Sequence, residues 1–547
     1  MNMQQNNIDA DVVVVGGGPV GLTLALLLAD EGARVSVIEP MTAPGDLPRA
    51  ISIADESFRI LERLGLADDL KAESYLDTGA RYFGLGDRLL AQSKPVPSRT
   101  GHPAKSQFDQ PVLEQLLWDR AVEHPDIDFR TGQRAVAITQ DGTTVTVTTR
   151  SEDGVTSTVV GSWLAGADGG RSFTRDALGV PLVGSTQEER WVVVDLLNTT
   201  REKEPYAEFH GNGDRPYVYV PGIKGRLRLE FMMLPGDDAE EITRPDKIRE
   251  LVLPFHPQVT PEDIRRAVVY VAHRRLAKTY RAGRAFLVGD AGHLMPPFSG
   301  QGLNAGLRDA SNLAWKLRAA LDGVGTDRLL DSYESERRTH AKKMVRISHI
   351  TGSIVMARGV AAAARDVVFS VARLFPPVHA YLSSMRFITP PDYSKGVAVD
   401  PAREVDSRFA EAVGKAMSQP TVETAEGTTS PLDAHLGTGW AILELGPTGT
   451  GQVARDPFWN GVPRVRLLPR GHHRGPQEAG PSDLTDLTGA FVDPARPLGV
   501  PHVVVVRPDR YVAAVFTAAD EARVVAALRT YVDLSRSVDR SRRKENR

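Results

Sequence analysis

Residues Asp11 to Glu39 read DVVVVGGGPVGLTLALLLADEGARVSVIE. The unbroken run Val12–Val15 suits a strand covered on both faces, because neither alternate set of side chains is polar. A glycine-rich turn follows at once, and the apolar run beyond it has helical length and stops at Gly32, where a C-cap fits. Ala33 to Glu39 then returns to strand composition. Strand, helix and strand in this order make a βαβ unit, which predicts a parallel sheet flanked by helices.

The turn itself, Gly16-Gly17-Gly18-Pro19-Val20-Gly21, carries chemistry. Gly16 allows the tight turn, Gly18 lets the backbone approach a pyrophosphate, and Gly21 permits close helix–strand packing. The helix start offers free N–H groups to an anion. Glu39, at the end of the second strand, is placed to accept hydrogen bonds from a ribose diol. The pattern predicts dinucleotide binding and does not separate NAD from FAD.

Outward from this unit, 547 residues are too many for one core, so two or three domains are expected. Residues 1–180 and 275–390 read as the nucleotide-binding domain with a helical extension. Residues 181–274 are strand-rich, with RPYVYV and GRLRLEFMML alternating at period two, and read as an inserted substrate domain built on a β-sheet. Residues 391–431 are polar with weak periodicity and are expected to be a linker. Residues 432–547 mix strands and helices and read as a separate small α/β domain.

Composition narrows the chemistry. A net charge of -3 provides no bulk attraction for nucleic acid or an anionic membrane, so a small-molecule partner is expected. The absence of cysteine excludes disulfides, thiolate metal sites and cysteine nucleophiles, so redox chemistry needs another carrier. No metal site is expected. The N-terminus lacks a secretory pattern and the longest apolar run is about half a membrane span, so a cytoplasmic protein is expected. The basic tail from Ser535 reads as a solvated terminus, and the paired histidines of RGHHRG (Arg470 to Gly475) as a surface loop.

Two further motifs lie far along the chain. Asp168-Gly169-Gly170-Arg171 follows a strand and precedes a helix, and RAFLVGDAGHLMPPFSGQGLNAGLR (Arg284 to Arg308) places Asp290 between a strand and a helix beginning near Gly302. Asp290 is suited to a polyol chain, and the helix start to negative charge on a ring set before it.

With GGGPVG, Glu39, Asp168-Gly169, Gly289-Asp290 and PPFSGQGLNAGLRDASNLAWKL in order, the chain resembles the FAD-dependent aromatic hydroxylases, the single-component flavoprotein monooxygenases. Within them it is most similar to the 3-(3-hydroxyphenyl)propionate hydroxylases, through segments such as PRAISIADESFRILERLGL (Pro48 to Leu66) and FMMLPGD (Phe231 to Asp237). The resemblance implies a Rossmann-like FAD domain, an inserted β-sheet substrate domain and a C-terminal thioredoxin-like domain that lacks cysteines. It implies FAD as cofactor, NADH or NADPH as transient co-substrate, and a phenol and dioxygen as substrates joined through a flavin C4a-hydroperoxide. By position, Gly16, Gly18 and Gly21 would face the pyrophosphate and Glu39 the adenosine ribose. Arg49 and Gln110 would contact the flavin and its side chain, Asp168 would serve FAD and the pyridine nucleotide, and Asp290 would hold the ribityl chain. Pro297 and the loop through Gly302, Leu303 and Asn304 would border the isoalloxazine. A homo-oligomer, a dimer, is expected.

A base that deprotonates the phenol would activate its ring. His293, Tyr217, His210 and Tyr219 are candidates, each with a packing role as the alternative. Asp55 and Glu56 read as a helix start. Arg226 and Arg228 would meet a propionate or else lie solvated at a strand edge. Three other readings stay open: a hydroxylase of a larger aromatic natural product such as a polyketide, a flavin dehydrogenase without oxygen insertion, and a flavin-binding scaffold that recruits a partner through its C-terminal domain.

Overall fold

A computed structural model describes residues 8–536 apart from 95–96, 200–203, 297–299, 356, 376, 379–389, 447–453, 472–482 and 493–497. The expectations placed on Pro297, on the paired histidines and on the basic tail beyond residue 536 lie outside the described residues.

The strand Ala10–Val15 runs parallel to Val35–Glu39 on one side and to Thr156–Gly166 on the other. Val12 and Val14 enter the core beneath the helix Pro19–Asp30, while Val13 and Val15 enter a second core on the opposite face. This two-sided burial is why the run tolerates no polar residue. Gly16 turns at φ +109°, and a Cβ there would meet the Ala167 carbonyl oxygen at 2.5 Å. A Cβ on Gly21 would lie 1.9 Å from the Gly16 oxygen, so the helix packs on the strand only with glycine at both places.

A second sheet of eight strands stands beside the first. Its longest strands are the pair Leu182–Leu196 and Ile264–Ala277, followed by Leu227–Met232, Tyr217–Pro221 and Tyr206–His210. Gly79–Phe83 and Leu89–Ser93 complete one edge and His293–Leu294 the other, so the sheet extends beyond the expected 181–274 segment. Period-two alternation divides its faces. Val192, Val194, Tyr217, Tyr219, Leu229 and Phe231 pack with Ile248 and Val252 of the helix Pro245–Val252. The intervening residues face the first domain. Two long helices, Gly302–Leu321 and Asp327–Val355, complete the frame. No helix among the described residues is long and apolar enough to cross a membrane.

The C-terminal part is a seven-stranded sheet that includes Thr421–Glu423 and Thr429–Pro431. The expected linker 391–431 is therefore folded: two of the sheet's strands come from it, and its Tyr393, Val397 and Val399 are buried. Weak periodicity reflects short elements here rather than a tether. Trp315, Ala319 and Leu329 of the long helices share one core with Trp459, Val505 and Phe516 of this domain. At that junction Glu336 accepts from Lys316 at 2.8 Å and from both Arg507 nitrogens at 2.8 and 2.9 Å, with Asn312 donating at 2.7 Å.

Burial alone would raise the Glu336 carboxyl, but Arg507 and Lys316 outweigh it and hold it well below the ordinary carboxylate range. A depressed folded value stabilises the protein above the unfolded pKa, and that contribution is lost as pH falls below it. Arg507→Ala, which leaves Glu336 partly uncompensated, is expected to cost about 3–5 kcal/mol in denaturant titrations and to flatten the loss of stability on acidification. A cost within experimental error would show that the C-terminal domain does not depend on this junction.

Candidate active site

Between the turn Gly18–Val20, the start of the helix Gly302–Leu321 and the inner face of the eight-stranded sheet lies a cavity of about 520 Å³. Gly18, Arg49, Gln110, Asp290, Gly302 and Leu303 line its first wall. A Cβ on Gly18 would meet nothing within 4 Å, so hydrogen there leaves backbone open to a ligand. The helix Pro19–Asp30 starts beside it with Pro at its first turn, and no acidic side chain offsets the positive end of its dipole.

Buried polar groups hold this wall in shape. Gln110 accepts the Ala50 N–H at 2.6 Å. Asn304 accepts from Ala54 N–H at 2.8 Å and Ser57 at 2.7 Å and donates to the carbonyls of Ser52 and Gly300 at 3.1 and 2.7 Å, so one amide closes two loops. Arg228 pairs with Asp195 at 2.6 Å and donates to the carbonyls of Pro48 and Arg49 at 2.6 and 2.7 Å. The turn at Asp290 is fixed from behind. Asp309, with no exposure, accepts the Gly289 N–H at 2.9 Å, His293 Nε2 at 2.8 Å and Arg337 at 2.6 Å.

Asp290 is exposed, and its side chain opens onto the cavity. The protein around that cavity thins the water at its carboxyl and raises it above the ordinary value, with His293 and Arg49 pulling the other way.

Comparison with known proteins decides what this geometry belongs to. Residues 9–348 match a family model described as an FAD binding domain, and residues 414–531 one described as the HcaD C-terminal domain. The 3-(3-hydroxy-phenyl)propionate/3-hydroxycinnamic acid hydroxylase 2 of Burkholderia vietnamiensis (strain G4 / LMG 22486) is 36% identical over 96% of this chain and 97% of its own length. The corresponding hydroxylase of Comamonas testosteroni is 33% identical over 94% and 96%. The chain belongs to the FAD-dependent aromatic hydroxylases. Among solved structures, aklavinone-11 hydroxylase in complex with FAD and aklavinone superposes with a TM-score of 0.73 at 25% identity, covering 96% of this chain and 99% of that one. The flavin-dependent monooxygenase PieE shares the fold, with a TM-score of 0.77 at 22% identity over 95% and 99%.

FAD is the cofactor of this hydroxylase, and the residues present suit it. The open Gly18 backbone, the helix start and the cavity-facing Asp290 supply N–H donors for a diphosphate and an acceptor for a polyol.

Several expected site residues do not line this cavity. Gly16 and Gly21 serve the turn and the packing behind it. Both Glu39 oxygens accept backbone N–H groups, from Gly17 at 2.6 Å and Met41 at 2.8 Å, so this carboxylate shapes its own loop and keeps acceptor sites on each oxygen. Asp168 turns from the cavity to accept from Ser172, the cap of the short helix Phe173–Ala177, and from the Thr174 N–H at 2.8 Å, while its neighbours Ala167 and Gly169 line the wall. Asn304 braces the loops and does not line the cavity.

The expected bases are corrected by position. His293 is fully buried against Asp309. Tyr217 is on the outer face of the sheet, its ring stacked on His210 at 4.2 Å, because an odd position on that strand faces away when Val218 faces in. Tyr219 shares that outer face. Arg228 is buried, lines the cavity and is engaged with Asp195, and Arg226 lies 3.3 Å from Asp109. Asp55 and Glu56 begin the helix Asp55–Arg63, as their helix-start pattern predicts.

The second wall holds groups that sequence reasoning passed over: Lys105, Glu230, Arg266, Tyr270 and His273. Glu230 had a legible signal, since Arg226, Arg228 and Glu230 alternate in GRLRLE on one strand face. Lys105 had none, because the strand Lys105–Gln107 belongs to a two-stranded piece formed with distant Ser52–Ala54.

Gly18→Val would fill the cradle without touching the packed side of the turn. The variant is expected to purify with FAD content lowered at least about tenfold, read from flavin absorbance, while retaining wild-type circular dichroism. Full flavin content would show that the cofactor does not pass this turn.

Proposed function

We propose that this hydroxylase adds an oxygen atom to a phenol bearing a short carboxylate side chain, of the kind that the relatives' names describe, using NADH or NADPH and dioxygen. What carries the reading is one cavity with two unlike walls: glycine turn, helix start and Asp290 on one side, and on the other a sheet face of Val193, Phe209, Val218 and Val220 set with a few charged groups. An aromatic ring fits the apolar part, and few polar groups are needed to fix its orientation.

On this reading FAD, when bound, supplies hydride acceptance from the pyridine nucleotide and activation of dioxygen. Asp290 would accept hydrogen bonds from the ribityl hydroxyls. Arg49 sits where the flavin wall meets the substrate wall, its main chain held by Arg228. The start of the helix Gly302–Leu321 opens onto the cavity and would favour negative charge on a ring held there.

Lys105 is the proposed partner of the substrate carboxylate. It lines the cavity, and no carboxylate pairs with it among the described residues. Burial pushes its amine down to about 8, which leaves it mostly charged at neutral pH, and an arriving carboxylate would hold that charge in place. Lys105→Met is expected to raise KM for 3-(3-hydroxyphenyl)propionate about 10–100-fold, the worth of one charge-assisted contact, and to leave a neutral phenol such as 3-propylphenol little changed. Equal effects on both compounds would remove Lys105 from this role.

The reading itself is tested by NADH and NADPH oxidation with the FAD-loaded protein across a panel of phenols, with mass spectrometry of the products. Substrate-stimulated oxidation and a product heavier by one oxygen are expected. Stimulated oxidation without an oxygenated product from any phenol would contradict it and leave a dehydrogenase.

A further inference from the structure

The strand Leu227–Met232 lies near the middle of the eight-stranded sheet, and its Glu230 points into the cavity. Its cross-strand neighbours are Val193 and Val218, both apolar and both lining the same space. Glu230 is only 8% exposed, and among the described residues no hydrogen bond or ion pair engages its carboxyl. Arg228, two residues along the same face, makes no direct contact with it. That guanidinium binds Asp195 and the Pro48 and Arg49 carbonyls, and Arg266 donates to Pro48.

A carboxyl held in an apolar wall without a partner is costly, and a native structure keeps such a group where a ligand completes it. Burial drives its carboxyl upward, with Arg228 acting against that rise, which brings it closer to the proton affinity of a phenol than a solvated carboxylate would be.

We propose that Glu230 is a catalytic residue, the acceptor of the substrate's phenolic proton. The inference rests on the functional reading above. The phenolic O–H bond breaks, the proton passes to a Glu230 oxygen, and the electron pair left on the phenolic oxygen increases the nucleophilicity of the ring carbon that receives oxygen. When that carbon afterwards gives up its hydrogen as a proton and the ring regains aromaticity, Glu230 returns its proton to the phenolic oxygen. The step involves no oxidation beyond the oxygen transfer that FAD and dioxygen already provide. It also sets a specificity: ligands with a hydroxyl on the ring are preferred to those without one.

The test uses FAD-loaded wild type, Glu230→Gln and Glu230→Leu, with binding of 3-(3-hydroxyphenyl)propionate and 3-phenylpropionate read from perturbation of the flavin spectrum. Wild type is expected to bind the hydroxylated ligand about 10–100-fold more tightly, and Glu230→Leu to bind the two equally. Glu230→Gln keeps an acceptor oxygen but cannot take a proton. It is expected to retain FAD and ligand while the hydroxylation rate falls about 10²–10⁴-fold, with a matching fall in product per NAD(P)H consumed. Wild-type discrimination by Glu230→Leu, or wild-type rate and coupling in Glu230→Gln, would overturn the proposal. If no phenol is hydroxylated even by wild type, the functional reading fails, while loss of discrimination in the Leu variant would still place the ring hydroxyl on Glu230.

Discussion

The buried carboxylate of Asp309 ties the molecule together. It binds the Gly289 N–H behind the Asp290 turn, His293 on the edge strand of the second sheet, and Arg337 on the helix Asp327–Val355. Arg337 continues to the Ala305 carbonyl at 3.0 Å and to the Tyr393 hydroxyl. Burial would raise this carboxyl, but Arg337 and His293 hold it below the ordinary range, so it stays ionised without water. Cavity wall, long helices and the segment leading into the C-terminal sheet are thus set by one charge. A buried ion pair of this kind contributes little net stability but fixes geometry, because removing any partner strands the others.

From that anchor the cavity acquires two walls of different chemistry. One is main chain: a glycine turn, two helix starts and loops closed by Gln110 and Asn304, all suited to a large anionic cofactor. The other is a sheet face where apolar side chains alternate out of an antiparallel ladder and only a few charged groups intrude. The Arg228–Asp195 pair joins them by holding the Pro48–Arg49 main chain. The C-terminal sheet reinforces the same helices from outside through Arg507 and Glu336 and through the shared core around Trp315.

Much of this was legible in the sequence, and for physical reasons. The βαβ unit announced itself because double-sided burial and a close helix–strand approach admit few residue types, and the Gly289-Asp290 turn because a strand, a carboxylate and a helix start must follow in order. Side-chain roles were less legible where a carboxylate has two possible customers. The resemblance assigns Glu39 and Asp168 to ligands, and both also hydrogen-bond to their own loops. Face assignment was the other weak point: RPYVYV presents two tyrosines to one side, and only the sheet's packing on Ile248 and Val252 shows that this is the outer side. The polar stretch 391–431 concealed two short strands, since elements of three residues leave no periodicity to detect.

The direct measurement is a single turnover of the reduced, FAD-loaded protein with 3-(3-hydroxyphenyl)propionate under ¹⁸O₂. One labelled oxygen atom on the product ring is the expected result. A ring product without the label, or recovery of unchanged substrate with all the reducing equivalents delivered to hydrogen peroxide, would contradict the assignment of this cavity to aromatic hydroxylation.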